Sequence, residues 1–102
     1  MNNKQTAALL IIEQRIRDGR RDAYLAWEQK VAAAAAGYPG YLGSEVKPPS
    51  DREPSWVVIY RFDSTLNARN WLNSATRQQL IHSAADLFDG PGTLRVITDS
   101  NE

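Results

Sequence analysis

The sequence predicts an α+β fold, a four-stranded antiparallel sheet with its helices packed on one face. Three observations carry this. The stretch Ser55 to Ser64, SWVVIYRFDS, joins Trp, Val, Val, Ile, Tyr and Phe almost without a break, as in a central strand covered on both sides. Strand-like and helical stretches follow one another along the chain in the order strand, helix, strand, strand, helix, strand. The strongest strands are apolar on both faces, and the helices of one chain suffice to cover only one of them.

Thr6 to Ile16, TAALLIIEQRI, reads as the first strand. Leu10, Ile12, Gln14 and Ile16 share one face, and Leu9, Ile11, Glu13 and Arg15 the other, because side chains alternate along a strand. Gln14 interrupts an apolar row. It is either an edge glutamine wetted by solvent or a polar handle in a pocket between sheet and helices. Asp18-Gly19 makes a turn. A helix then runs from about Arg21 to Ala36, with Asp22 complementing its dipole. Tyr24, Trp27, Glu28, Val31, Ala34 and Ala35 follow helical spacing; Glu28 alone breaks this stripe and is expected at its margin. The alanine run 32–36 favours helix and a close approach to the sheet. Arg15, Arg17, Arg20 and Arg21 gather at the strand end and turn, and in a chain of zero net charge they read as a solvated surface.

Gly37 is expected to end the helix in the left-handed conformation, and Pro39-Gly40 suits the centre of a type II turn. Tyr41 to Lys47 is the second strand, with Gly43 marking a bulge. The polar loop 48–54 closes a hairpin onto the central strand. There Trp56, Val58, Tyr60 and Phe62 face one side, and Val57, Ile59 and Arg61 the other. Ser64 caps a short helix to about Asn73 that carries Leu66 and Trp71, and Ser74 recaps a second piece from Ala75 to about Phe88. Arg77, Leu80, Ile81, Ala84, Leu87 and Phe88 form its inward stripe. At about 100° per residue, His82 points away from that stripe. Asp89-Gly90-Pro91-Gly92 turns the chain into the last strand, Thr93 to Thr98, and the tail DSNE is expected to fray. The element order is the ferredoxin-like βαββαβ arrangement. Its second sheet face would leave Leu9, Ile11, Val57, Ile59 and Ile97 in water, so a homodimer packed face to face with C2 symmetry is expected.

The 102 residues suit a single domain over 1–102, large enough to bury roughly 65% of the surface of the unfolded chain. Twelve basic and twelve acidic side chains cancel, and no basic stripe marks a nucleic-acid partner. The absence of cysteine excludes disulfides, thiolate catalysis and cysteine metal sites. The longest apolar runs, Ala7 to Ile12 and Val31 to Ala36, fall far short of the ~20 residues of a membrane span. The start, MNNKQT, lacks the apolar core of a secretion signal. The expectation is a cytoplasmic protein.

PGYLGSEV from Pro39 to Val46, WVVIYRFDS from Trp56 to Ser64 and WLNSATRQQL from Trp71 to Leu80, in this order and spacing, resemble the antibiotic biosynthesis monooxygenase domain family. The resemblance extends from about Leu10 to Ile97. It implies a dimeric α+β barrel. In the enzymes of that family it also implies oxygenation of an aromatic, quinol-like substrate without metal, flavin or haem. The substrate supplies electrons to dioxygen, and the protein supplies a pocket and a base. Some relatives carry the domain in longer chains with membrane helices, so this chain reads as a stand-alone form or a fragment. Haem-degrading monooxygenases of the same superfamily rely on an Asn, a Trp and a His. Trp71 matches the Trp, Gln14 stands where the Asn would be, and the His position falls on Ile81, with His82 one residue off. Without an axial imidazole haem iron has no obvious ligand, and neither cofactor nor metal is expected.

His82, the only histidine, is the natural candidate for a general base near neutral pH, but its helical position puts it on the exposed surface. Arg77 could hold a phenolate or oxyanion, or its stem could pack while its head reaches an acid or carbonyl at the rim. Trp71 is either a stacking wall for an aromatic substrate or a core tryptophan. Tyr60 is expected in the core with its hydroxyl tied off. No Ser-His-Asp order, phosphate loop, metal-ligand spacing or carboxylate pair can be assembled. Two functions remain. The first is a cofactor-independent monooxygenase with Arg77 and Gln14 as catalytic residues and Trp71, Gln14 and Arg77 against a small aromatic substrate. The second is a non-catalytic dimeric module that binds a small aromatic ligand or simply dimerises. A buried polar group facing an open cavity would favour the first. A filled interior with Gln14 and Arg77 already paired would favour the second.

Overall fold

Strand β1 (Ala8–Gln14) pairs with the central aromatic strand β3 (Trp56–Phe62) on one side and with β4 (Thr93–Thr98) on the other, and β2 (Tyr41–Lys47) closes the far edge. All pairs are antiparallel, in the order β2-β3-β1-β4. Helices α1 (Arg21–Ala35), α2 (Thr65–Leu72) and α3 (Ala75–Ser83) complete the chain, with a short 3-10 turn at Ala85–Leu87. This is the α+β, ferredoxin-like arrangement expected from the element order, with its second helix broken at Asn73-Ser74. The structure is a computed structural model and describes residues 7–98. The expected strand start at Thr6, the segment MNNKQT and the tail DSNE lie outside the described residues.

The register explains the core. Leu10 sits opposite Tyr60, Ile12 opposite Val58 and Gln14 opposite Trp56, so one face of the sheet collects the largest apolar groups. Leu10, Tyr24, Val58, Tyr60, Phe62 and Trp71 are fully buried between that face and the helices, each apolar side chain contributing about 1.5–3 kcal/mol. The alternate residues Leu9, Ile11, Val57 and Ile59 remain half-buried on the opposite face, and Ile97 is exposed there. Gly43 carries the expected bulge, with φ at 150° and a register shift between Tyr41 and Gly43.

Several boundaries differ from the sequence reading, each for a local reason. The first strand ends at Gln14 rather than Ile16, and Ile16 instead forms an isolated bridge with Phe88. That bridge, with the Arg17 amide on the Leu87 carbonyl at 2.9 Å and the Asp89 amide on the Arg15 carbonyl at 2.8 Å, pulls the chain out of helix. The helix expected to reach Phe88 therefore stops at Ser83. Gly37 does not take the left-handed conformation. Its amide donates to Ala34 at 3.1 Å, and the positive φ falls on Gly40, at +84°. Glu28, expected at the margin of the α1 stripe, is 5% exposed and belongs to the core.

Candidate functional site

Five polar or amphipathic side chains from β1, β3 and all three helices meet between the sheet and its helical cover. Gln14 comes from the end of β1, Tyr60 from the middle of β3, Glu28 from α1, Trp71 from the last turn of α2 and Arg77 from the first turn of α3. Together with apolar neighbours including Ile81 they line a cavity of about 20 Å³. Such a space holds about one water molecule.

Local sequence fixes the helical members. Ser64 caps α2 by accepting from the Asn67 amide at 3.1 Å. Ser74 then performs two tasks. Its hydroxyl donates to the Trp71 carbonyl at 2.8 Å and accepts from the Arg77 amide at 3.1 Å, so one serine ends α2, starts α3 and sets the spacing of Trp71 and Arg77. The Trp27 indole donates to the Leu80 carbonyl at 2.9 Å and ties α3 to α1. Glu28 follows Tyr24 by four residues and precedes Val31 and Ala35 on the same buried stripe, which drives its carboxylate inward with them.

The electrostatics centre on Glu28. Tyr60 donates its hydroxyl to the Glu28 carboxylate. Burial lifts the Glu28 pKa to about 7, against the opposing pull of the Tyr60 hydrogen bond and the Arg77 charge. Burial likewise lowers the pKa of Arg77, opposed by Tyr60 and Glu28. No ion pair within 4.0 Å joins the two among the described residues. Burial, then the nearby Glu28 carboxylate, raises the Tyr60 and Tyr24 hydroxyls far above the ordinary tyrosine range. Tyr24 donates to Gln14 Oε1 at 3.1 Å. The indole nitrogen of Trp71 is buried without a hydrogen-bond partner, a group whose desolvation costs about 1–3 kcal/mol when left unmet.

The three residues read from the sequence as site candidates, Gln14, Trp71 and Arg77, thus line one cavity. They are not paired with one another. Gln14 accepts from Tyr24, and the Arg77 guanidinium makes no hydrogen bond with any described residue. Trp71 is fully buried and packs edge-on to Tyr38 at 5.0 Å. His82 is exposed, as its helical position requires. The Tyr60 hydroxyl is tied off as expected, but its partner is the acid that the sequence reading set aside. Glu28 carried a signal all the same, since an acid on an apolar stripe at i+4 from Tyr24 must be buried or break the stripe. Among the described residues no group of three or more His, Asp or Glu is placed to hold a metal ion, and no helix is long and apolar enough to cross a membrane.

No protein-family model matches the chain. An uncharacterized protein of Synechococcus elongatus is 30% identical over 82 residues, which take in 79% of this chain and 38% of that protein. The chain therefore spans well under half the length of this curated relative. Among solved structures, a candidate antibiotic biosynthesis monooxygenase from Caulobacter crescentus superposes with a TM-score of 0.80 at 13% identity, over 97% of this chain and 93% of the other. A candidate antibiotic biosynthesis monooxygenase from Nitrosomonas europaea gives 0.78 at 11% identity, over 95% and 93%. SnoaB, a cofactor-independent oxygenase from Streptomyces nogalater, gives 0.73 at 14% identity, over 95% and 94%. At these identities the likeness is one of fold, and in fold it bears out the resemblance read from the sequence.

Proposed function

We propose that this chain is a cofactor-independent monooxygenase of a small, quinol-like aromatic substrate, acting as a homodimer from the site between sheet and helices. The observation that carries the reading is Glu28, a buried acid with a pKa of about 7 that shares a cavity with Arg77 and Trp71. A base poised near neutrality and a cation for the anion it creates are what deprotonation of a phenol requires. The fold shared with SnoaB supports the reaction class.

In this reading Glu28 accepts a proton from the substrate, and Arg77 holds the resulting phenolate. The activated carbon then reacts with dioxygen to give a substrate hydroperoxide. Loss of water leaves one oxygen atom on the substrate as a carbonyl, while the second departs as water with the hydrogen of the oxidised carbon and the proton first taken by Glu28. Glu28 returns its proton to the departing hydroxide, so it ends the cycle as it began. Tyr60 keeps the carboxylate oriented, and Gln14, held by Tyr24, offers its amide N–H to a substrate oxygen.

A bicyclic substrate needs far more room than one water, since small-molecule sites span roughly 300–1,000 Å³. The wall best suited to yield is α3, which carries Arg77 and Ile81 yet has no fully buried residue, so its displacement costs little core. The same small volume is the specific observation in favour of the alternative, a non-catalytic dimeric module. Oxygen uptake with 1,4-naphthohydroquinone and anthrone separates the two. The oxygenase should consume oxygen above the protein-free rate, with a rate rising with pH through about 7, and Glu28→Gln should lower kcat on the order of a hundredfold or more. Arg77→Ala and Gln14→Ala should lower kcat/KM. Ligand-induced thermal stabilisation without oxygen uptake would overturn the enzymatic reading in favour of the module.

A further inference from the structure

A second hollow, of about 370 Å³, opens where β1 leaves the sheet and α1 begins. Arg15, Arg17 and Arg21 line it, with Trp56 as floor and Pro49 and Pro54 as a wall from the β2–β3 loop; Asp18 and Asp89 also reach it. The sequence reads these arginines as a basic cluster on a solvated surface. The bridge between Ile16 and Phe88 instead turns the chain so that three of them surround one space.

Their surroundings hold two of them in place without neutralising them. Arg17 donates through Nε to the Phe88 carbonyl at 2.9 Å, which leaves its terminal nitrogens free of any described partner. The Arg21 guanidinium carbon lies 5.3 Å from the centre of the Trp56 ring, a cation–π stack. Arg15 makes no hydrogen bond or ion pair through its side chain with a described residue. Neither the Asp18 nor the Asp89 carboxylate forms an ion pair within 4.0 Å with the guanidinium of any of these three arginines, although the neighbouring Arg20 does pair with Asp86, at 3.2 Å. Three arginines thus line one hollow, with the guanidinium donors of Arg15 and Arg21 and the terminal nitrogens of Arg17 engaged by no described residue.

We propose that this hollow binds an aromatic carboxylate. A carboxylate matches the guanidinium fork in two parallel hydrogen bonds. A flat ring attached to it can lie on the Arg21 guanidinium, extending the stack begun on Trp56, with Pro49 and Pro54 as its apolar wall. The site is separate from the inter-layer cavity. Trp56 and Gln14 are cross-strand partners, but only Gln14 lines the inner space and only Trp56 the outer one.

The test is an NMR titration of the whole chain with 2-naphthoate, with neutral 2-naphthamide and inorganic phosphate as comparators. The expected result is saturable shifts of the Trp56 indole and the Arg21 and Arg15 side-chain signals with naphthoate, at a dissociation constant on the order of a millimolar, as its atom count allows. Naphthamide and phosphate should each bind about tenfold or more weakly. Arg15→Ala and Arg21→Ala should each weaken naphthoate about tenfold, Arg21→Lys should recover only part of the loss, and Arg69→Ala, on the exposed side of α2, should change nothing. Arg77→Ala should also leave this titration unchanged, which keeps the result independent of the inter-layer site. Equal binding of naphthamide or of phosphate would overturn the proposal, as would naphthoate shifts confined to the Gln14 and Arg77 signals.

Discussion

Replacing Glu28 by glutamine tests the central electrostatic claim without any assumption about substrate. Glu28 has a folded pKa of about 7 against an ordinary value of 4.5, so the folded state binds its proton more tightly than the unfolded chain does. Between those two values the native protein holds a proton that the unfolded chain has released, and the stability slope with pH is negative. Stability is therefore full below about pH 4.5, falls as pH rises toward 7, and stays lower above it. Each pKa unit is worth about 1.4 kcal/mol, so a shift of this size corresponds to a loss of about 3 kcal/mol by pH 8. The substituted glutamine keeps the shape and can still accept from Tyr60, but it has no charge to desolvate. The variant should match the wild type at about pH 4.5–5 to within about 1 kcal/mol and exceed it by about 2–3 kcal/mol at about pH 8. For a domain of this size that is a rise in Tm of about 10–20 °C. Urea unfolding followed by tryptophan fluorescence, at one protein concentration across about pH 4.5–8, measures both curves. A wild-type stability that is flat or rising across this range would refute the reasoning. So would a glutamine variant with the same slope as the wild type.

Tyr24→Phe removes the donor to Gln14 at 3.1 Å and should cost about 1 kcal/mol, read as a shift in the urea midpoint at unchanged m-value. Gly40→Ala should destabilise by more than about 2 kcal/mol, because φ there is +84° and a Cβ would fall against the Asp63 carboxylate and 2.6 Å from Asn67 Nδ2; thermal unfolding measures it. If the second sheet face is a dimer interface, Ile59→Lys, opposite Ile11 at its centre, should halve the mass seen by light scattering, from about twice 11.4 kDa to 11.4 kDa. A wild type already at the monomer mass, or a variant that keeps the dimer mass, would count against that interface.

The sequence by itself determined the elements and their faces. Strand alternation in β1 and β3 sorted Leu10, Val58 and Tyr60 inward and Leu9, Val57 and Ile59 outward, because a period of two leaves only one register compatible with a buried face. Ser64 and Ser74 announced their caps through chemistry confined to three residues, and the element order then implied the sheet topology. Helical spacing placed His82 outside and Arg77 inside for the same local reason. What only the tertiary structure decided is how groups from distant segments pair. The sequence shows an acid on an apolar stripe at Glu28, but whether such an acid escapes to the rim or stays inside depends on a partner 32 residues away, the Tyr60 hydroxyl. The end of the last helix depended on Ile16 bridging to Phe88, a contact no local propensity encodes. Packing of α1 and α3 over the sheet left the space at Gln14, Trp71 and Arg77 only about one water in size, and cavity volume is a small difference between large filled volumes. Residue types and periodicity are local properties and can be read along the chain. Desolvation, pairing and free volume depend on what the fold brings near, and for this protein they set the pKa of the one acid on which its proposed chemistry rests.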